Sequence, residues 1–496
     1  YNSLHQRLLI WSSAWQMGAE NPLLGKGWGN FELFYPFYQG PLLGHFEGIR
    51  ALRTHANNAH NEILELWSQT GIIGLGIYIW MFLTLLICFI KFYKKAEYDD
   101  RYFVIPVLAA LAGMFVDNML NVSLHFAVPA FLFWWLVGSL SLKLSSPDGT
   151  PKYIGLNFNK NIIRSISFLL IVLSLGGIYY WRAQFMREIH YFRGFKLMRK
   201  AHFSQAAVEL KTAYNYHSRE VNSNYEMANA YVRMKDFSKA HWAYEESLKS
   251  NCGYDEIFFN FAVVNKKLKN FDSALDNLKI SLLINPVNIS NYTALAEIFM
   301  SDTGKYSKEG IYFFEKALRI FPFDMNIINT LGYFLTTEKD YKKAKGVYSR
   351  GVKINPGSDM LIGNLRMVVA RLKIKNDPDI KWLEDYKKLE RSLNANNYTK
   401  KSLRAADALL KDAPYSAAVM YQKSKILFAR GEYSLSKSYL IKILKINPKN
   451  IDARYALGTV LEKEGDCSAA KKEFIEILKI APDNKRVKAR LKKMSC

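Results

Sequence analysis

Two patterns of apolar residues divide this chain. Between residues 71 and 181 they form long, nearly uncharged runs, whereas from about residue 187 they recur among Lys, Glu, Asp and Asn. The run from Gly71 to Phe92, GIIGLGIYIWMFLTLLICFIKF, has no charge before Lys91. Similar runs cover residues 102–124, 126–142 and 166–181. At 16–23 residues these runs have about the length needed to cross roughly 30 Å of hydrocarbon as a helix. Helix is the expected form, because lipid offers no partners to backbone polar groups. Trp80, Trp134, Trp135 and Trp181 suit apolar or interfacial positions.

The short loops orient these four predicted spans. Lys91, Lys94, Lys95 and Arg101 lie between the first and second, and Lys143, Lys152, Lys160 and Arg164 between the third and fourth. Basic loops stay cytoplasmic, so residues 1–70, the turn at Leu124–His125 and everything beyond Trp181 are expected outside the cytoplasm. Arg182, Arg187 and Arg193 weigh against this assignment.

From residue 187 the polar pattern repeats. A small residue recurs at Ala206, Ala240, Ala274, Gly310, Ala344, Ser436 and Ala470, mostly 34 residues apart. Three residues earlier stands an aromatic in five cases: Phe203, Phe237, Phe271, Tyr341 and Tyr433. Twelve residues later stands Pro286, Pro322, Pro356, Pro448 or Pro482. Leu331-Gly332 and Leu457-Gly458 mark the first helix of two repeats. Small residues let paired helices approach, aromatics fill the gap, and proline ends the second helix. The period and columns resemble the tetratricopeptide repeat family over residues 187–490, with an irregular stretch near 357–416. The predicted fold is all-α: polytopic transmembrane helices followed by an α-solenoid. Such arrays bind proteins or extended ligands along a concave face, so a protein partner is expected.

Composition changes this picture little. The net charge of +24 could serve an anionic partner, but the lysines are spread along repeat helices and read as solvated faces. No nucleic-acid module accompanies them, so no nucleic-acid partner is expected. Cys88, Cys252, Cys467 and Cys496 are far apart and read as neither a disulfide framework nor a zinc site. A chain opening at Tyr1 without a signal-peptide pattern is expected to continue a longer protein.

Residues 1–70 hold the candidate chemistry. Three pieces stand out: Arg7-x-x-x-Trp11; Asn21-Pro22-Leu23-Leu24-Gly25-Lys26-Gly27-Trp28-Gly29; and His60-Asn61, nine residues, then Gly71-x-x-Gly74. Their order, spacing and place before a span resemble the O-antigen ligase/polymerase family of membrane glycosyltransferases, over roughly residues 1–142. The resemblance implies a metal-independent enzyme without a cofactor, in the bacterial inner membrane. It would move a glycan from a polyprenyl diphosphate carrier to a hydroxyl of lipid A core, another glycan or a protein, on the extracytoplasmic face. The family has further spans before this loop, so the visible site is expected to be partial.

The residues fit such chemistry. A hydroxyl attacking an anomeric carbon benefits from a base titrating near neutrality, which makes His60 the candidate catalytic residue. Guanidinium groups match diphosphate oxygens, so Arg7 and Arg53 are candidate substrate contacts, with Arg50 and His55 behind them. Either arginine could instead anchor the loop to lipid phosphates. Asn61 could orient His60 or bind sugar. Gly25, Gly27 and Gly29 read as a structural turn rather than a phosphate loop, and Gly71 and Gly74 as aids to close packing. Asp117 interrupts the second span and would share a helix face with Asn121 and His125. An ionisable residue there marks either a substrate-binding site or a buried hydrogen-bond network. Asp99-Asp100 and Asp377-Pro378-Asp379 read as solvated turns. The alternatives to a transferase are a membrane-anchored repeat scaffold with an inactive transferase portion, and a transporter of lipid-linked glycans.

Overall fold

The computed structural model describes residues 2–94, 98–145 and 159–494, and among them every regular element is a helix. Lys95 and Lys152, used above to orient the spans, and Cys496 lie outside the described residues, as do the side chains of Asp99, Asp100 and Lys143. The chain forms two compact units, Tyr1–Leu295 and Ala296–Cys496.

The first unit begins with α1 (Asn2–Glu20), α2 (Phe31–His45), α3 (Glu62–Tyr93), α4 (Tyr98–Asp117), α5 (Ala127–Ser145) and α6 (Lys160–Arg199). The helices α3 and α6 are long and apolar enough to cross a membrane. The apolar stretches of α4 and α5 are shorter, Val104–Asp117 and Ala127–Leu142. The span expected at 102–124 is therefore cut short. Its helix stops at Asp117, and the Asn118 side chain accepts from Leu124 N–H (3.2 Å), folding residues 118–125 into a turn. Leu85, Phe92, Val104, Leu111, Phe133 and Leu140 pack α3, α4 and α5 together. Trp80, Phe131, Trp135 and, along α6, Phe168, Leu173 and Trp181 are exposed. Apolar surface of this extent is compatible with a lipid environment.

Repeat helices follow without a break: α7 (Phe203–Tyr216), α8 (Val221–Arg233), α9 (Phe237–Ser250), α10 (Asp255–Lys267) and α11 (Phe271–Ile284). The C-terminal half of α6 packs along α7, so one helix is both candidate span and first repeat helix. The chain enters the second unit through α12 (Ile289–Ser301). It continues with α13 (Thr303–Ile320), α14 (Met325–Thr337), α15 (Tyr341–Ile354), α16 (Asp359–Arg371) and α17 (Pro378–Asn394). Then come α18 (Lys400–Asp412), α19 (Ala417–Ala429), α20 (Tyr433–Ile446), α21 (Ile451–Lys463), α22 (Cys467–Ile480) and α23 (Lys485–Lys493).

The sequence columns have clear packing roles. Ala206, Ala240, Ala274, Ala344 and Ala470 are fully buried. Each repeat proline stands two residues past a helix end, after Ile284, Ile320, Ile354, Ile446 and Ile480. Lys235, Lys269 and Lys339 turn one helix into the next at positive φ, the role Gly431 and Gly465 take in later repeats. The aromatic column differs from expectation: Phe271 is exposed, and Phe203, Phe237, Tyr341 and Tyr433 are half-buried. The cores are filled instead by Tyr244, Phe314, Phe334, Tyr348 and Phe474.

Two further expectations change. Asp377 and Asp379 are not a solvated turn. Asp377 is buried, caps α17 and pairs with Lys345 (2.9 Å), while Asp379 is held by Lys345 and Lys353, both at 2.7 Å. Cys467 is disulfide-bonded, which the wide cysteine spacing did not announce; Cys88 and Cys252 carry free thiols.

A side chain at Gly458 would come within 2.7 Å of the buried Phe474 ring. Gly458→Ala should therefore cost about 1–3 kcal/mol through overpacking. Thermal melting of the detergent-solubilised protein should show a lower midpoint; an unchanged one would mean that Gly458 does not limit how closely α21 approaches α22.

Candidate functional site

The break at Gly71 organises the N-terminal segment. Its φ of 62° and ψ of −161° interrupt α3, freeing backbone groups that the 22–27 loop takes up. Lys26 N–H donates to Ser68 O (2.9 Å), Gly27 N–H to Gln69 O (2.8 Å), and Ile72 N–H to Pro22 O (2.8 Å). A side chain at Gly71 would collide with the Leu23 backbone, and one at Gly25 with the Gln69 backbone. Gly25, Gly27 and Gly29 have φ of 64°, 98° and 79°. These glycines make a structural turn whose partner is the helix break. Gly74 instead faces the Thr70 side chain of its own helix.

Before the break, α1 and the start of α3 together hold the backbone next to His60. The Trp11 indole N–H donates to Ala59 O (3.0 Å), and Ala59 N–H donates to the buried Glu65 carboxylate (2.8 Å). His60 follows with φ of 50°, a region that residues other than glycine rarely adopt. Such strain persists only where surrounding contacts over-determine it, and it clusters at functional sites. Asn61 accepts from Leu64 N–H (3.0 Å) to cap α3, and its amide donates to Met119 O (3.0 Å). Its place in the fold is thus to tie α3 to the turn after α4.

Arg7 lies one turn before Trp11 on α1 and meets His60 across a cavity of about 350 Å³, lined also by Gln6, Thr54, His55 and Asn58. Neither the Arg7 guanidinium nor the His60 imidazole has a hydrogen-bond or ion-pair partner among the described residues. Burial lowers the His60 pKa, and the positive charges of Arg7 and His125 lower it further. These effects favour the neutral form of the imidazole, and an unpaired guanidinium lines the same cavity.

The remaining candidates lie elsewhere. Arg53 does not line the cavity: its guanidinium bonds Asp255 and Glu256 (3.1 Å) of α10 and also contacts the His55 ring (3.0 Å). Arg50 donates to Leu43 O (3.3 Å). Asp117 accepts from Asn121 (2.8 Å) and from Ser123, within the turn that ends α4. The shared helix face proposed for Asp117, Asn121 and His125 does not form, because the helix stops at Asp117. Donor atoms of His55, Asp255 and Glu256 lie within 4.8 Å of one another. Arg53 already bridges both carboxylates, so the geometry is that of an ion-pair network rather than a cation site.

Several contributors had no individual sequence signal. Glu62 and Glu65 are buried, and His125 reaches them at 3.4 and 3.7 Å. The only hint was acidic residues so close before an apolar run. Asp255 and Glu256 stand some 200 residues from Arg53, beyond any local pattern.

Fold and site together define a helical protein with two membrane-length helices, a repeat array and a polar cavity. Residues 1–79 match the family model for O-antigen ligase, and residues 427–493 that for the tetratricopeptide repeat. Two separate stretches of the chain are thus similar to known families, the first to O-antigen ligases and the second to tetratricopeptide repeats. Similar solved structures include MamA of AMB-1, at 16% identity over 36% of this chain and 96% of that one (TM-score 0.31). They also include YrrB, titled a repeat protein with an unusual peptide-binding site, at 16% over 51% and 98% (TM-score 0.20). A repeat protein of Parabacteroides merdae matches at 12% over 62% and 98% (TM-score 0.21). No curated protein matches the chain.

The His60 environment has a measurable consequence. Diethyl pyrocarbonate attacks neutral imidazole, so modification of His60, followed by peptide mass spectrometry, should persist below the ordinary histidine pKa of 6.5. In Arg7→Gln the inflection should move up toward that value. A wild-type inflection at or above 6.5, unmoved by Arg7→Gln, would contradict the described environment.

Proposed function

We propose that this chain is part of a membrane glycosyltransferase that moves a glycan from a polyprenyl diphosphate carrier to an acceptor hydroxyl at the Arg7–His60 cavity. The observation that carries this reading is that two motif pieces more than fifty residues apart place an unpaired guanidinium and a neutral imidazole on one cavity. The O-antigen ligase match over residues 1–79 supports the reaction class.

In the proposed reaction, His60 takes the proton of the acceptor hydroxyl as its oxygen attacks the anomeric carbon. The bond from that carbon to the diphosphate breaks, and the polyprenyl diphosphate leaves with its charge facing Arg7. Proton transfer by a positioned base contributes about 10²–10⁴-fold, and charge-assisted hydrogen bonds favour the leaving group. We assign Arg53, Asn61 and Asp117 to holding the site rather than to contacting substrate, because hydrogen bonds or ion pairs engage each within the fold. The acceptor is a lipid A core sugar, a glycan chain or a protein hydroxyl, and the repeats recruit it or a protein partner. The loop and the array lie on the extracytoplasmic side of the inner membrane.

The test is glycan transfer by the full-length protein in cells lacking their own copy. His60→Ala should reduce product by about 10²–10⁴-fold at normal membrane levels, and the product's size ladder separates ligase from polymerase. Full activity in His60→Ala would leave the membrane-anchored scaffold as the better reading.

A further inference from the structure

The repeat array does not begin where the transferase segment ends. Residues 32–55 pack onto the α9–α10 junction and α11, within the first unit. A side chain at Gly40 would strike the Leu283 carbonyl, and one at Gly253 would come within 2.8 Å of the Glu32 carbonyl, so the backbones nearly touch. Tyr254 donates its hydroxyl to Glu32 and stacks its ring on His55 at 4.9 Å between centroids. Asp255 is fully buried, bonds Arg53, and accepts from Asn285 (2.7 Å); its carbonyl accepts from Ser281 (2.9 Å). Glu256 takes Arg53 at 3.1 Å and His55 at 3.4 Å.

The segment gripped in this way forms a wall of the cavity. Thr54 and His55 both line it, as do Ala56, Asn57 and Asn58 next in the chain. On its other side, Thr54 exchanges two hydrogen bonds with the Gln39 amide, at 2.8 and 2.9 Å. Removing one partner from a buried, hydrogen-bonded ion pair leaves the other charge uncompensated, so the grip is strongly specified.

We propose that the start of α10, Tyr254–Asp255–Glu256, is a positioning element of the cavity: it fixes the 53–58 wall through Arg53 and His55. The first repeats are then a structural part of the transferase and not only an appended recruiting module. The role in catalysis rests on the function proposed above; the grip on the wall does not.

The test uses the full-length protein with two readouts. Hydrogen exchange over residues 53–59 needs no activity and should accelerate in Asp255→Asn. Glu256→Gln, at a more exposed side chain, should show the same effect and serves if the buried variant fails to fold. In glycan transfer, both should raise the donor KM by roughly 10- to 100-fold, the scale of a small misplacement in a site, with kcat changed far less. Because Asp255 acts through Arg53, Asp255→Asn should add nothing in an Arg53→Met background. Unchanged exchange in both variants, or additive effects in the double variant, would overturn the proposal. If His60→Ala transfers normally while exchange still accelerates, the catalytic reading fails and the grip stands.

Discussion

Everything in the N-terminal segment depends on a helix that is interrupted. At Gly71 the backbone leaves helical geometry, and the 22–27 loop supplies the hydrogen bonds that α3 gives up. Unpaired backbone groups at such a position would be costly, especially near lipid. The break therefore requires a partner loop, and that loop requires glycines at positive φ to lie against it. Two sequence motifs that look independent are the two halves of one joint.

That joint sets the register for what precedes it. With the start of α3 fixed, Glu65 holds the Ala59 amide, Trp11 holds its carbonyl, and His60 is left at positive φ. The backbone is over-determined while the side chain remains unpaired, which suits the role of general base proposed for it. Arg7 reaches the same cavity because it shares a face of α1 with Trp11, one turn away. The opposite wall is held from another part of the chain, by α10. Local motifs thus build one side of the cavity and long-range packing builds the other.

This division explains what could be read from the sequence. The repeat array was legible because a 34-residue period writes the same packing several times, and buried Ala240 and Ala274 do what their column implied. Arg7 and His60 each stand in a short local motif, and the fold brings both to one cavity; the roles given to them are those proposed above. Arg53 looked like a phosphate ligand because Asp255 and Glu256, its partners, are far away in sequence. Asp117 looked like part of a helix face because spacing alone cannot show that Asn118 turns the chain there. The aromatic column was misjudged for a related reason: ring size predicts burial, yet Phe271 at a helix start stays exposed while Phe334 and Phe474 fill the cores. Asp377 and Asp379 escaped because their lysine partners, Lys345 and Lys353, lie in another helix.

The most direct test of the central claim is an experimental structure of the full-length protein with a non-transferable polyprenyl diphosphate glycan analogue. The account predicts the diphosphate against Arg7 and the anomeric carbon facing the His60 imidazole, with Arg53 still bonded to Asp255 and Glu256. A diphosphate bound away from Arg7, with His60 facing no part of the ligand, would contradict it.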